Sequence, residues 1–154
     1  MIEFSRKFSN FWARMQKLIS DIPPYGHAIG MSVEDNTGSK LTLKVPYSDH
    51  LVGDPDTGVI HGGVITAALD NASGWAVRMG KDWDDELSMA TLDIRIDYMK
   101  PATPHIDLFV TAECYKQTKT IAFVRAVAYH EKEDDPVATS VATFMMGTSN
   151  QPRL

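Results

Sequence analysis

The chain has 154 residues, of which 44% are hydrophobic and 23% are charged, and its formal net charge is −5. This length fits one domain with its own core, and the composition excludes disordered and collagen-like classes. The negative charge argues against a general nucleic-acid binder, which normally presents a basic face.

Neither a secretory signal nor a membrane span is expected. Charged residues interrupt the apolar positions of the N-terminal segment, and no long uncharged apolar run occurs. The single cysteine, Cys114, cannot form an internal disulfide, which fits a reducing compartment without excluding a cysteine-poor secreted protein. We therefore expect a cytoplasmic protein.

The first predicted element is an amphipathic helix over Phe4–Ile22, ended by a Pro-Pro pair. It is either a lid packed on its own domain or a helix on a membrane surface. Two short strands follow, Ala28–Glu34 and Leu41–Val45, joined by a turn at 35–38. Residues 46–58 are rich in Pro, Gly and Asp and are predicted to form a loop.

One long helix and four strands make up the rest of the chain. The helical period runs over His61–Met79, and an acidic loop follows it. Apolar and polar residues alternate over Ser88–Tyr98, which predicts a strand with one buried face formed by Ala90, Leu92, Ile94, Ile96 and Tyr98. The three later strands are predicted over Ile106–Lys116, Thr120–His130 and Val137–Gly147.

This order of elements predicts an α+β fold, in which an antiparallel sheet wraps around a long central helix. An extra helix precedes that unit. The predicted division is an N-terminal helical extension at 1–26, the main domain at 27–149 and a C-terminal tail at 150–154.

The central helix carries one carboxylate on a face of small residues. A bulky apolar stripe is predicted to pack on the sheet, formed by Ile65, Ala68, Leu69, Ala72, Trp75, Ala76 and Met79. The small-residue stripe consists of Gly63, Thr66, Ala67, Asp70, Ser73, Gly74 and Val77. Asp70 has poor helix propensity and must be partly desolvated there, so stability does not explain it.

Two glycines, Gly62 and Gly63, open this helix. They leave backbone N–H groups free, which together with the helix dipole can polarise a carbonyl oxygen as an oxyanion hole does. The alternative is that the glycines only permit a tight entry into the helix.

Distance along the helix predicts a dimer. Eight residues separate Gly62 from Asp70, which is roughly 12 Å at 1.5 Å per residue. A base and an oxyanion donor must both lie within about 3–4 Å of the reacting group. Two antiparallel helices from a two-fold dimer can satisfy this, with Gly62 from one copy facing Asp70 of the other.

The segment around these residues resembles the PaaI-like branch of hotdog-fold thioesterases. Its signature is G-x-x-H-G-G with an acidic residue nine positions after the histidine, which here corresponds to Gly58, His61, Gly62, Gly63 and Asp70. The resemblance extends to Ile94–Pro101 and Lys116–Phe123, and it covers about residues 27–148.

The resemblance implies a hotdog acyl-CoA thioesterase with Asp70 as general base or nucleophile. It implies that the Gly62 amide polarises the thioester carbonyl, that His61 shapes this hole, and that Thr91 positions the water. A purely structural threonine is the alternative for Thr91. The candidate substrate-binding residues are Gly63, Asp56, Asn71, Lys119 and Lys100.

The chain departs from the family at Pro55. Many relatives have an asparagine at this position, six residues before the motif histidine, and proline has neither its N–H nor a polar side chain. Asp56, beside it, replaces that contact only in part, because a carboxylate donates no hydrogen bond unless protonated. Lys100 and Lys119 are candidates for contacts with CoA phosphates.

Several other catalytic and metal-binding sequence motifs are absent. There is no G-x-S-x-G elbow, and the five histidines have no metal-ligand spacing, so neither an α/β-hydrolase triad nor a metal site is expected. No cofactor is predicted, since CoA is part of the substrate. Trp75 and Met79 either border the acyl pocket or pack in the core.

The predicted protein is thus an acyl-CoA hydrolase that acts as a homodimer or homotetramer, without nucleic acid or a membrane span. A hotdog hydratase or dehydratase, which would pair a histidine with a carboxylate, is one alternative. A non-catalytic acyl-CoA-binding protein is the other.

Overall fold

The computed structural model describes residues 22–37, 40–80 and 88–148, together with Gln16. Within 22–37, 40–80 and 88–148 the helices are α1 (Pro24–Ala28) and α2 (Gly62–Arg78), and a 3₁₀ turn covers Asp49–Leu51. The strands are β1 (Ser32–Asn36), β2 (Lys40–Val45), β3 (Val52–Asp54), β4 (Val59–Ile60), β5 (Met89–Tyr98), β6 (Leu108–Gln117), β7 (Ile121–Tyr129) and β8 (Ala138–Met146).

Six strands form one antiparallel sheet in the order β1-β2-β6-β7-β8-β5. Helix α2 lies against the inner face of this sheet, where aliphatic side chains from both form the core. Leu69 of α2 is fully buried there, and truncation of such a residue to alanine costs about 2–5 kcal/mol. The predicted α+β architecture, a sheet around a long central helix, is confirmed.

Helix α2 is close to its predicted bounds but is rotated slightly on the sheet. Its predicted apolar stripe is buried, except that Trp75 is only half-buried. Ser73 and Val77 were predicted on the small-residue face, yet they are 1% and 0% exposed. The open face of the helix therefore runs through Thr66, Asp70 and Gly74.

A β-bulge in β5 changes which residues face the helix. The register against β8 shifts between Thr91 and Asp93, so Leu92 is the extra residue. Ile94 and Ile96 pack against the core as predicted. Ala90 and Leu92 were predicted on that same face but are exposed, because an extra residue inverts the alternation on one side of a bulge.

The elements before α2 differ from the prediction in their bounds. The first strand was predicted over Ala28–Glu34 but begins at Ser32, because the short α1 precedes it with Pro24 at a position that favours helix initiation. The predicted loop at 46–58 contains the 3₁₀ turn and β3, and β3 pairs with β4, which directly follows the loop, in a separate two-stranded sheet.

Three predictions lie outside the described residues. These are the N-terminal helix up to residue 21 apart from Gln16, the acidic loop at 81–86 and the C-terminal tail. Within the described part of the chain, no helix has the length and apolar character needed to cross a membrane.

Candidate active site

Asp70 lies on the open face of α2, where its carboxylate meets strand β5. Thr91 Oγ1 donates a hydrogen bond to Asp70 Oδ1 at 3.0 Å. No described residue donates to the second oxygen, Oδ2. The half-buried carboxylate is thus held at one oxygen and open at the other, which suits a general base or a nucleophile.

Asp70 borders an open cavity of about 220 Å³, here called the carboxylate cavity. Its lining residues are Pro23, Asp70, Asn71, Gly74, Trp75, Arg78, Met89, Thr91 and Phe144. The Arg78 guanidinium lies 5.1 Å from the centre of the Trp75 ring. Of the two residues predicted to border the acyl pocket or pack in the core, Trp75 lines the carboxylate cavity, whereas Met79 packs in the core. Asn71 lines the cavity but donates its side-chain N–H to the Ala67 carbonyl at 2.9 Å.

The other end of α2 presents one free amide. His61 caps the helix, with Nδ1 accepting from the Gly63 N–H at 2.8 Å and its carbonyl accepting from the Val64 N–H at 2.9 Å. Of the two amides predicted to be free, the Gly63 N–H is thus occupied. The Gly62 N–H has no acceptor among the described residues. A neutral His61 that accepts at Nδ1 carries its proton on Nε2.

Gly62 opens onto a second cavity of about 380 Å³, here called the amide cavity. Its lining residues are Val59, Ile60, Gly62, Ile65, Tyr98, Met99, Lys100, Pro101 and Ala102. Lys100, a predicted substrate-binding residue, lines this cavity and forms an ion pair with Asp135. The two cavities lie at opposite ends of the open face of α2, so Gly62 and Asp70 of one chain do not meet.

Asp56 and Lys119 lie outside both cavities. Asp56 borders a separate cavity of about 400 Å³ beside Pro55. The Thr57 hydroxyl and, with a smaller effect, the Asp56 amide donate hydrogen bonds to Asp54 and lower the pKa of that carboxyl. Lys119 is exposed in the turn between β6 and β7, at the sheet end where α2 finishes.

Other catalytic chemistries have less support. Burial raises the pKa of the Cys114 thiol, which disfavours a reactive thiolate. Among the described residues, no three His, Cys, Asp or Glu side chains are grouped to hold a metal ion.

Comparison with known proteins decides the family. Residues 57–137, just over half of the chain, match the model of the thioesterase superfamily. The chain belongs to that superfamily. The YigI medium/long-chain acyl-CoA thioesterase of Escherichia coli strain K12 is 30% identical over 135 residues, which covers 80% of this chain and 86% of that protein.

Two further comparisons agree with this membership. A Pseudomonas aeruginosa protein of known crystal structure is 37% identical, with a TM-score of 0.75, and the match covers 88% of this chain and 98% of that one. A Halobacterium salinarum protein named as a candidate esterase is 32% identical over 94 residues, which cover 60% of this chain and 61% of that protein. The predicted hotdog-fold thioesterase family is confirmed, and the protein is a thioester hydrolase.

Sequence reasoning missed several residues of the two cavities. Met89 and Phe144 reach the carboxylate cavity from strands, and periodicity does not show which part of a strand reaches a cavity. Tyr98 was predicted on the buried face of its strand, but it is 51% exposed and lines the amide cavity. No sequence signal indicates its position, because seven positions separate it from Thr91 and an unbroken strand would place the two side chains on opposite faces.

Proposed function

We propose that this thioesterase hydrolyses acyl-CoA to a free acid and CoA, with Asp70 as its catalytic carboxylate. The observation that carries the proposal is the separation of two half-sites along one helix: the Thr91-bound carboxylate in one cavity and the unpaired Gly62 amide in another. The relative named as a medium/long-chain acyl-CoA thioesterase supports CoA as the carrier.

The two half-sites are complementary in a two-fold dimer. When the open faces of two α2 helices pair in antiparallel fashion, Gly62 of one copy approaches Asp70 of the other. Strand β5, which bears Thr91, lies at an edge of the sheet formed by the described residues, where it can pair with its twin. We propose a homodimer, or a homotetramer assembled from such dimers.

Two mechanisms fit this arrangement. In the first, Asp70 takes a proton from water as the water oxygen bonds to the thioester carbon, then the C–S bond breaks and the CoA sulfur takes the proton. In the second, an Asp70 oxygen attacks the carbon and expels CoA thiolate, and water then hydrolyses the mixed anhydride. In both, the Gly62 amide stabilises the carbonyl oxygen as it gains negative charge.

The remaining predicted residues have supporting roles in this proposal. Thr91 holds Asp70 Oδ1 and orients water, and His61 fixes the peptide after Gly62. Lys100 and Lys119 bind CoA phosphates, with Lys100 exchanging its pairing with Asp135 for a phosphate. Gly63, Asn71 and Asp56 line the path of the substrate. We propose that the reaction takes place in the cytoplasm and requires no metal or redox cofactor.

Release of free thiol from a panel of acyl-CoAs tests this function. The panel should span short, medium and long chains and an aromatic acyl group, in buffer with EDTA. We expect CoA release by the unmodified protein and a loss of about 10²–10⁴-fold in Asp70→Asn, the range for removing a general base. The matched control is Asp134→Asn, which changes an exposed aspartate in a turn and should leave the rate unchanged.

The same panel separates the alternatives. A hydratase would convert an enoyl-CoA without releasing thiol, and a sensor would bind acyl-CoA without turnover. Full activity in a folded Asp70→Asn protein would remove Asp70 from the mechanism.

A further inference from the structure

Two hydroxyl groups converge on the carbonyl at the start of α2. Tyr98 Oη donates to the Gly62 carbonyl oxygen at 2.8 Å, and Thr66 Oγ1 donates to the same oxygen at 3.1 Å. The two hydroxyl oxygens are themselves 2.8 Å apart. Tyr98 is 51% exposed and lines the amide cavity, so core packing does not explain its position.

These contacts fix the peptide group between Gly62 and Gly63 at both of its ends. Its carbonyl is held by Tyr98 and Thr66, and its N–H is held by His61 Nδ1. The preceding peptide group joins His61 to Gly62, and its His61 carbonyl oxygen accepts a hydrogen bond from the Val64 N–H at 2.9 Å. Because peptide groups are planar and trans, these bonds also set the direction of the free Gly62 N–H.

We infer that Tyr98 is a positioning residue for thioester hydrolysis, and that its hydroxyl aims the Gly62 amide at the substrate carbonyl. The inference rests on the proposed function, in which this amide polarises the thioester. An oxyanion donor is effective when its direction is set before the charge develops. The phenol supplies that constraint from outside the helix.

Tyr98 acts through Gly62 rather than directly on the substrate. Each of the two hydroxyls has one proton, so two of the three contacts among Tyr98, Thr66 and the Gly62 oxygen are hydrogen bonds at any one time, and these use both protons. Neither hydroxyl has a proton left to donate to a ligand.

The bulge in β5 is what brings Tyr98 to this position. Thr91 and Tyr98 are seven positions apart, and an odd separation places side chains on opposite faces of an unbroken strand. The extra residue Leu92 restores both to the face towards α2. One strand therefore holds the carboxylate through Thr91 and the amide through Tyr98.

Steady-state kinetics give the first test. Tyr98→Phe should lower kcat about tenfold and change KM by less than about twofold, since the lost hydrogen bond acts in the transition state. Thr66→Val should do the same, whereas Thr66→Ser keeps the hydroxyl and most of the rate. The double variant Tyr98→Phe with Thr66→Val should lose less than the product of the single losses, because both act on one oxygen.

The matched control for these measurements is Tyr115→Phe. Tyr115 is 48% exposed on β6 and contacts the Phe123 ring and Arg125, which both lie on β7. Removal of the Tyr115 hydroxyl should leave kcat unchanged. Equal kcat values for Tyr98→Phe and the unmodified enzyme would overturn the inference.

The carbonyl stretch of a bound substrate separates this inference from the function on which it rests. A medium-chain acyl-CoA, labelled with ¹³C at the thioester carbonyl, is bound to Asp70→Asn protein and measured by infrared difference spectroscopy. We expect a lower frequency than in water, and a partial return towards the water value when Tyr98→Phe is added.

The outcomes of that experiment are distinct. The same lowered frequency with and without the Tyr98 hydroxyl would refute the role of Tyr98 alone. A frequency equal to that in water in both proteins, or no binding of acyl-CoA, would refute the polarising step of the proposed function and this inference together.

Discussion

Replacement of Gly63 by alanine should separate activity from stability. The Gly63 N–H donates the helix-capping hydrogen bond to His61 Nδ1 at 2.8 Å. A Cβ on residue 63 would lie 2.8 Å from that nitrogen and 3.1 Å from His61 Cε1. Such contacts are too short for carbon, so the imidazole must move and the cap bond is lost. We therefore expect Gly63→Ala to disturb the peptide next to the Gly62 amide.

The expected magnitudes follow from two opposing terms. Loss of the helix cap costs about 1 kcal/mol, while alanine in place of glycine stabilises a helix by about 0.5–1 kcal/mol. The net change in the free energy of unfolding should be within about 0.5 kcal/mol, which moves Tm by no more than about 2 °C. In contrast, kcat should fall about tenfold, less than the 10²–10³-fold loss for a deleted oxyanion donor.

Thermal unfolding by circular dichroism and the rate of CoA release measure these two quantities on the same protein. Gly62→Ala is the matched comparison, because it keeps its N–H and its Cβ would lie 3.4 Å from the nearest atom, Tyr98 Oη. Its kcat should fall by less than about threefold, as ordinary van der Waals contact leaves the amide in place. The reasoning fails if Gly63→Ala keeps the full kcat of the unmodified enzyme.

Further variants test the hydroxyl that holds the carboxylate, the wall of the carboxylate cavity as the site of the acyl chain, and an ion pair. Thr91→Val removes the hydroxyl that holds Asp70 and should lower kcat about tenfold in the thiol-release assay, whereas Thr91→Ser should retain most of it. Gly74→Leu adds a side chain to the wall of the carboxylate cavity and should shift the preferred acyl-CoA in the substrate panel towards shorter chains. The hydrogen bond from Lys44 lowers the pKa of Asp107 below its ordinary value of 3.8. The ion pair therefore stabilises the fold above about pH 4, and this stabilisation is lost as the pH falls through the lowered pKa. Asp107→Asn should therefore destabilise the protein by less than about 1 kcal/mol at pH 7 and reduce the loss of stability under acid, as urea unfolding across pH measures.

Each of these expectations can fail on its own. Equal kcat values for Thr91→Val and Thr91→Ser would show that the hydroxyl has no role. An unchanged chain-length profile in Gly74→Leu would place the acyl chain elsewhere. For the ion pair, parallel curves of unfolding free energy against pH in Asp107→Asn and the unmodified protein would contradict the assignment.

The sequence predicted the central helix and the carboxylate because the relevant signals are local. A sustained helical period defined His61–Met79, and the structure has Gly62–Arg78. Asp70 stood out because a charged residue is unfavourable halfway along a helix that packs on a sheet. Its place on the open face, beside a cavity, agrees with that reasoning.

The arrangement of the residues around Asp70 depends on two structural features, a β-bulge and a helix cap, that no local sequence pattern indicates. The bulge at Leu92 interrupts neither the apolar alternation nor the β-propensity of the strand, so Ala90 and Leu92 were assigned to the wrong face. That bulge is also what turns Thr91 towards Asp70. Histidine is not among the preferred capping residues, so the occupation of the Gly63 amide by His61 was not foreseen.

The central claim is that each active site combines the carboxylate of one protomer with the helix start of another. Mixed dimers of Asp70→Ala and Gly62→Pro chains test it directly, since proline is tolerated at a first helical position but has no N–H. Each parent should be nearly inactive. After random exchange, half of the dimers are mixed and each has one intact site, so activity should recover to about a quarter of that of the unmodified enzyme. Activity no higher than that of the two parents, in samples shown by mass spectrometry to contain mixed dimers, would contradict the account.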